Sequence, residues 1–149
     1  MRAVIQRVSQ AAVSIDGMPS ASIGTGLLVL LGVEVGDTAA DVEWLAGKTV
    51  QLRIFPDADC KMNRDVRAIA GDLLVVSQFT LLGDARRGNR PSFMQAARPD
   101  EAIPLYEAFL QALDVRTGRP PQRGVFAADM QVSLINDGPV TILLNSREA

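Results

Sequence analysis

Two stretches of the chain are apolar almost without a break: Leu27–Val33 (LLVLLGV) and Leu73–Val76 (LLVV). The first predicts a central strand buried on both faces and the second a short buried strand. Gly32, inside the first run, predicts a bulge or a close backbone approach. Ala3–Val8 and Ala12–Ile15 predict two more strands, divided by the polar pair Ser9-Gln10. Gly17-Met18-Pro19 predicts a turn, Ser22–Ile23 a short strand, and Gly24-Thr25-Gly26 a second turn. Toward the C-terminus, Phe126–Leu134 alternates, with Met130, Val132 and Leu134 set against Gln131 and Ser133. Val140–Leu144 predicts the last strand. Asn136-Asp137-Gly138-Pro139 between them predicts a hairpin loop.

Helical spacing occurs twice. After Gly36-Asp37, Thr38 and Asp41 form a capping-box variant, and Val42, Leu45, Ala46, Thr49 and Leu52 share one face. Trp44 falls at the edge of that stripe. Leu52–Phe55 predicts a further strand, and Pro56-Asp57-Ala58-Asp59 a turn. Pro99-Asp100-Glu101 opens the second helix, with Tyr106, Phe109, Leu110 and Leu113 as its stripe. Pro104 is expected in or before the first turn, because deeper in it breaks the hydrogen-bond ladder. Thr117–Arg123 reads as a polar loop. Seven or eight strands and two helices without regular alternation predict an α+β fold: a curled or closed, barrel-like mixed sheet with the two main helices on one side. Residues 1–149 read as a single domain.

Composition narrows the chemistry. The chain has 15 basic and 17 acidic residues and a formal net charge of −2, which argues against non-specific coating of nucleic acid. It has no histidine and one cysteine. Histidine-based triads, His-ligated metals, Cys-based zinc sites and intramolecular disulfides are therefore excluded. Cys60 reads as a tolerated thiol in the Asp57–Lys61 turn. Asp57, Asp59 and Asp65 resemble part of a calcium loop but lack the remaining ligand spacing and the closing glutamate. No metal and no cofactor are expected. The N-terminal segment has no signal-like apolar region, and no run is long enough to span a membrane. These features predict a cytoplasmic protein, with neither membrane nor DNA as partner.

Polar chemistry gathers around the second apolar run. Leu73–Val76 ends in Ser77-Gln78-Phe79-Thr80, where three hydrogen-bonding side chains fall within four residues. A basic, turn-rich loop follows, with Asp84, Arg86, Arg87, Gly88, Asn89, Arg90 and Pro91. A rigid strand thus delivers hydroxyl and amide groups to a rim, and cations flank it, an arrangement suited to an anionic ligand. The same residues also fit an ordinary strand end beside a solvated loop. Arg7, inside the first strand, reads by itself as a solvated edge charge. Asn136–Pro139 reads either as a plain surface turn or as a rigid backbone wedge with no mobile side chain.

Two segments, Ser77-Gln78-Phe79-Thr80-Leu81 and Asn136-Asp137-Gly138-Pro139-Val140, resemble the signature motifs of the D-aminoacyl-tRNA deacylases. The resemblance runs nearly end to end, through Met1–Val8, Gly26–Val33, Met62-Asn63, Arg90–Phe93 and Ala128–Leu134. Departures are confined to the basic loop, the Thr117–Arg123 loop and the tail from Asn145 to Ala149. The resemblance implies a cytoplasmic homodimer that hydrolyses the ester between a D-amino acid and the terminal adenosine of tRNA, with its sites at the dimer interface. It implies that Ser77, Gln78, Phe79 and Thr80 line the reaction centre, with Phe79 acting through its backbone. Gly138 and Pro139, joined by a cis bond and supplied by the other subunit, would refuse L-substrates. Phe126 and Met130 would form the pocket wall, and Arg7 would steady the Gly-Pro loop. Arg86, Arg87 and Arg90 are the expected tRNA contacts. Glycyl-tRNA is an expected substrate, and the ribose hydroxyl beside the ester an expected participant. A non-catalytic module that binds the tRNA end would use the same basic loop, and a purely structural dimer, indifferent to aminoacyl-tRNA, is a third reading.

Overall fold

The computed structural model describes residues 1–148. Ala149, the end of the divergent tail, lies outside the described residues. The elements are β1 (Arg2–Ile15), β2 (Met18–Ile23), β3 (Gly26–Gly32), α1 (Ala39–Gln51), β4 (Phe55–Pro56), β5 (Met62–Arg64), β6 (Asp72–Ser77), α2 (Pro99–Thr117), β7 (Gln122–Arg123) and β8 (Gln131–Asn145). Short 3-10 turns occupy Phe79–Leu82 and Ser146–Glu148. The fold is α+β, with two helices and a mixed, nearly closed sheet.

The sheet runs in the order β2-β1-β3-β6-β7, and β8 pairs with β1. β1 is the strand that pairs with the most neighbours, β2, β3 and β8. Its first half pairs with β3, its second half with β2, and β8 follows both halves. The predicted break at Ser9-Gln10 is therefore no break: both residues are exposed on one continuous strand. The first turn falls at Asp16-Gly17, one residue earlier than expected, and Met18 and Pro19 already belong to β2. The predicted strand Leu52–Phe55 shrinks to Phe55–Pro56, whose partner β5 carries no apolar alternation in its sequence.

β3 and β6 are parallel and buried on both faces. Leu27, Val29, Leu31, Leu73 and Val75 pack with residues of both helices, including Leu45, Tyr106 and Phe109. Leu28, Leu74 and Val76 face the inside of the curl with Val8, Ala11, Val13 and Ile23. Each such buried aliphatic side chain contributes about 1.5–3 kcal/mol, so these two strands are the stable centre of the molecule.

α1 begins where Asp41 accepts hydrogen bonds from Thr38 N (2.8 Å) and Thr38 Oγ1 (3.0 Å). α2 starts with Pro99 at its first position, where a missing N–H costs nothing. Pro104, however, lies inside this helix rather than in its first turn. The carbonyl it leaves without a ladder partner is that of Asp100, on an exposed residue near the helix start, open to solvent. The apolar face of α2 holds the rest in place, and Gly118 ends it in the left-handed conformation.

Tyr106, on that face, is the chain's only tyrosine. It is 2% exposed, and its hydroxyl donates to Val75 O at 3.1 Å. Burial disfavours the phenolate and pushes its pKa up to about 12. An unfolded tyrosine ionises near pH ~10. Between that pH and about 12 the unfolded chain releases this proton while the folded chain keeps it, so stability falls as pH rises through the window. Below the window both states are protonated and the residue contributes no pH dependence. Phenolate absorbance of the folded protein is expected to titrate well above the solvated value. A midpoint near pH ~10 would show the ring to be wet.

Candidate active site

The register of β3 and β6 carries Leu31 opposite Ser77, and Gln78 N extends the ladder by donating to Leu31 O at 2.7 Å. The chain then tightens into the turn Phe79–Leu82. Gly32 makes that turn fit. A Cβ there would stand 2.6 Å from Leu82 Cδ2, 3.1 Å from Gln78 O and 3.2 Å from Leu81 Cβ. The close approach expected of Gly32 is thus the packing of the turn onto the end of β3. Gln78 Nε2 donates to Thr80 Oγ1 at 2.5 Å, which leaves the threonine proton free for another acceptor. The N–H groups of Phe79 and Thr80 donate to no protein acceptor among the described residues. Two adjacent free N–H groups at the head of a turn form a binding place for a negatively charged oxygen.

This turn edges a cavity of about 570 Å³. Ser77, Gln78 and Phe79 line one side and Phe126 and Met130 another, with Tyr106 and Val76 among the remaining lining residues. Phe126 does not belong to a strand, because β8 begins only at Gln131. Its segment turns sharply at Ala127, whose φ is +63°. Phe126 rests edge-on against Tyr106, with centroids 6.0 Å apart. The Tyr106 hydroxyl is committed to the strand carbonyl, so Tyr106 shapes the cavity and lends it no proton. Sequence reasoning placed Tyr106 only in the core. The signal available was a single polar tip in an otherwise apolar stripe.

Arg7, Gly138 and Pro139 stand elsewhere, on the β1–β8 ladder, and line no part of this cavity. Asn136–Pro139 is not a hairpin loop. β8 continues through it as one strand and bulges: the five-residue step from Asn136 to Thr141 faces the two-residue step from Val8 to Gln6. Asn136 closes the neck of the bulge. Its Oδ1 accepts from Val140 N at 2.8 Å, and its Nδ2 donates to Val140 O at 3.2 Å. Asp137, Gly138 and Pro139 are exposed, and the Gly138–Pro139 peptide is cis. Only glycine suits position 138, where φ is +141° and a Cβ would lie 2.9 Å from Arg7 Nη2.

Arg7 is no solvated edge charge. Its side chain is 12% exposed, its Nε donates to Asp137 O at 2.8 Å, and its Nη1 donates to Ile54 O at 2.5 Å. One planar fork therefore ties the bulge to the segment before β4.

The basic loop leaves from the other end of the turn. Reciprocal backbone bonds between Asp84 and Ser92, both 2.8 Å, close it at the base. Arg86 grips Asp84 through Nε (2.9 Å) and Nη2 (2.6 Å), and this hydrogen-bonded pair holds the Asp84 carboxyl far below the usual carboxylate range. Arg87 and Arg90 are exposed and form no ion pair with any described residue. Asp57 is a structural acceptor: it takes hydrogen bonds from the Asn63 amide and the N–H groups of Asp59 and Lys61, which lower its pKa.

The chain matches known proteins along nearly its whole length. The family model described as D-Tyr-tRNA(Tyr) deacylase matches residues 4–145. A D-aminoacyl-tRNA deacylase of Opitutus terrae is 62% identical over 98% of this chain and 97% of its own. One of Akkermansia muciniphila is 58% identical over 99% of both. Among solved structures, the c-Myc DNA unwinding element binding protein superposes with a TM-score of 0.91 at 39% identity, covering 97% of this chain and 98% of that one. A probable eukaryotic D-amino acid tRNA deacylase shares the fold, with a TM-score of 0.83 at 17% identity, covering 96% of this chain and 97% of that one. With the family model spanning both the turn that bears Ser77–Thr80 and the bulge that bears Gly138-Pro139, the chain belongs to the D-Tyr-tRNA(Tyr) deacylase family.

Proposed function

We propose that this chain, as a single domain of 149 residues, is a cytoplasmic D-aminoacyl-tRNA deacylase. It hydrolyses the ester of D-aminoacyl-tRNA to free D-amino acid and tRNA. The observation that carries the reading is the pair of unengaged N–H groups at Phe79 and Thr80, beside a cavity in a chain of this family. Water attacks the ester carbonyl, the two N–H groups receive the charge that develops on its oxygen, and the ribose oxygen leaves with a proton. With no imidazole in the chain, the neighbouring ribose hydroxyl assists the water. Thr80, held by Gln78, orients rather than attacks. One orienting hydrogen bond contributes about 0.5–1.5 kcal/mol, so Thr80→Ala slows turnover by roughly tenfold at most. Loss of a covalent nucleophile costs about a million-fold.

Stereochemical choice falls to Gly138 and Pro139, acting on the site of a second subunit. Their exposure and their distance from this subunit's own cavity support action across a dimer interface. The bulge is held by Asn136 and Arg7, so what meets the substrate is fixed peptide rather than a mobile side chain. Such a wall rejects the wrong configuration at Cα whatever the side chain is, which apolar pockets do weakly, at ~1–3 kcal/mol per methylene. Glycyl-tRNA has no side chain to refuse. The test is deacylation of matched D-, L- and glycyl-tRNA: the first and last are hydrolysed and the second is spared. Equal rates on D- and L-substrates would overturn the filter, and no hydrolysis of any would overturn the enzyme and leave a tRNA-end binding module.

Mixed dimers test the division of labour. Phe79→Pro removes one oxyanion donor at a position that tolerates proline, a loss of about 10²–10³ in kcat. Gly138→Ala drives a methyl into Arg7. Each variant alone is expected to be slow, and their heterodimers to regain activity because one of the two sites is then undamaged. Heterodimers that form without regaining activity would confine the bulge to its own subunit.

Arg87 and Arg90 meet tRNA phosphates, while Arg86 shapes the loop through Asp84. Changing Arg87 and Arg90 to alanine should reduce the salt dependence of tRNA binding by about one slope unit per lost contact. An unchanged slope would remove the loop from the RNA interface.

A further inference from the structure

Arg2, at the start of β1, joins two lips of the cavity. One lip is the turn Phe79–Leu82. The other is the segment Gln95–Ala97, held to the chain after β3 by Val35 N to Gln95 O (2.9 Å) and Ala97 N to Val33 O (3.0 Å). Both Phe79 and Ala97 line the cavity. Arg2 Nη1 donates to Leu81 O at 3.3 Å and Nη2 to the Gln95 side-chain oxygen at 3.4 Å. Behind it lies Glu34, only 7% exposed, with Oε2 at 3.6 Å from Arg2 Nε and neither atom in a hydrogen bond. The other carboxylate oxygen of Glu34 accepts from Arg147 at 3.1 Å.

These contacts decide what Arg2 is for. Arg2 Nε and Glu34 Oε2 are buried and 3.6 Å apart without a hydrogen bond, so this ionic contact has no directional grip on either lip. Glu34 also keeps Arg147 when Arg2 is removed. The spacing of the two lips is different: among the side-chain hydrogen bonds of the described residues, those of Arg2 alone reach both. Leu81 belongs to the same single turn as Phe79 and Thr80, so a shift of its carbonyl carries their N–H groups along. Oxyanion donors act only within about 2.7–3.1 Å of the developing charge.

We propose that Arg2 is a positioning residue for deacylation, holding the Phe79–Leu82 turn in register with the opposite lip through Leu81 O and Gln95. The proposal rests on the deacylase reading above. Arg2→Met keeps the apolar stem and removes the fork. It should lower kcat roughly tenfold, equivalent to about 1.4 kcal/mol, with KM for D-aminoacyl-tRNA changed by less than about twofold, since binding groups are untouched. Arg2→Lys keeps the charge but not the two-pronged geometry and should recover only part of the rate. Millimolar guanidinium should restore activity to Arg2→Ala. Amide exchange should quicken at Leu81 and Gly83, whose N–H groups donate to Gln78 O and Thr80 O, in Arg2→Met and stay unchanged in β3 and β6. A merely structural residue would instead lower Tm, quicken exchange throughout, and show no rescue; that pattern, or an unaltered kcat, overturns the proposal. Should the unaltered protein fail to hydrolyse D-aminoacyl-tRNA, the deacylase reading falls, and the exchange pattern alone decides whether Arg2 orders the turn.

Discussion

Everything near the cavity depends on the parallel pairing of β3 with β6. Both strands are apolar on both faces, so alternation of polar and apolar residues does not set their register as it does in a half-exposed sheet. The register is set at the ends instead. At one end a Cβ on Gly26 would lie 1.9 Å from Asp72 O, and at the other Gly32 sits under Gln78, Leu81 and Leu82. A slip by one residue would push a leucine into either place. Two absent side chains thus decide that Ser77 stands opposite Leu31. From that pairing follow the ladder bond to Gln78, the turn, and the two unengaged N–H groups. The helices complete the arrangement from outside, with Tyr106 reaching Val75 O through the layer between them.

Legibility in the sequence tracked how local the deciding interaction was. The buried pair of strands could be read directly, because a short unbroken apolar run is stable only where both of its faces are covered. The cluster Ser77–Thr80 could also be read, since polar groups crowded at the end of such a run must emerge at an edge. Local rules misled where distant pairing overrode them. Asn136-Asp137-Gly138-Pro139 carries strong turn chemistry, yet β1 pairs with β8 on both sides of it. Ser9 and Gln10 look like a break, but they are exposed positions of a strand already held by its neighbours. Pro104 contravenes the helix rule near an exposed helix start that is open to solvent. The role of Arg7 has no local signal at all, since its two carbonyl partners are 130 and 47 positions away. The family resemblance supplied what periodicity did not.

The bulge also bears on how such a protein can change over generations. Asn136 stitches its neck with amide groups that imitate a peptide, so the surrounding ladder continues on either side. The surface offered at Gly138 and Pro139 is largely main chain, which is the same in every codon. A pocket lined with side chains can be reshaped gradually, one substitution at a time. A wall made of backbone has no such gradient: most replacements at Gly138 collide with Arg7 or Val140, and the remaining route is to alter chain length or the bracing beneath. A surface built this way is hard to tune and correspondingly hard to erode.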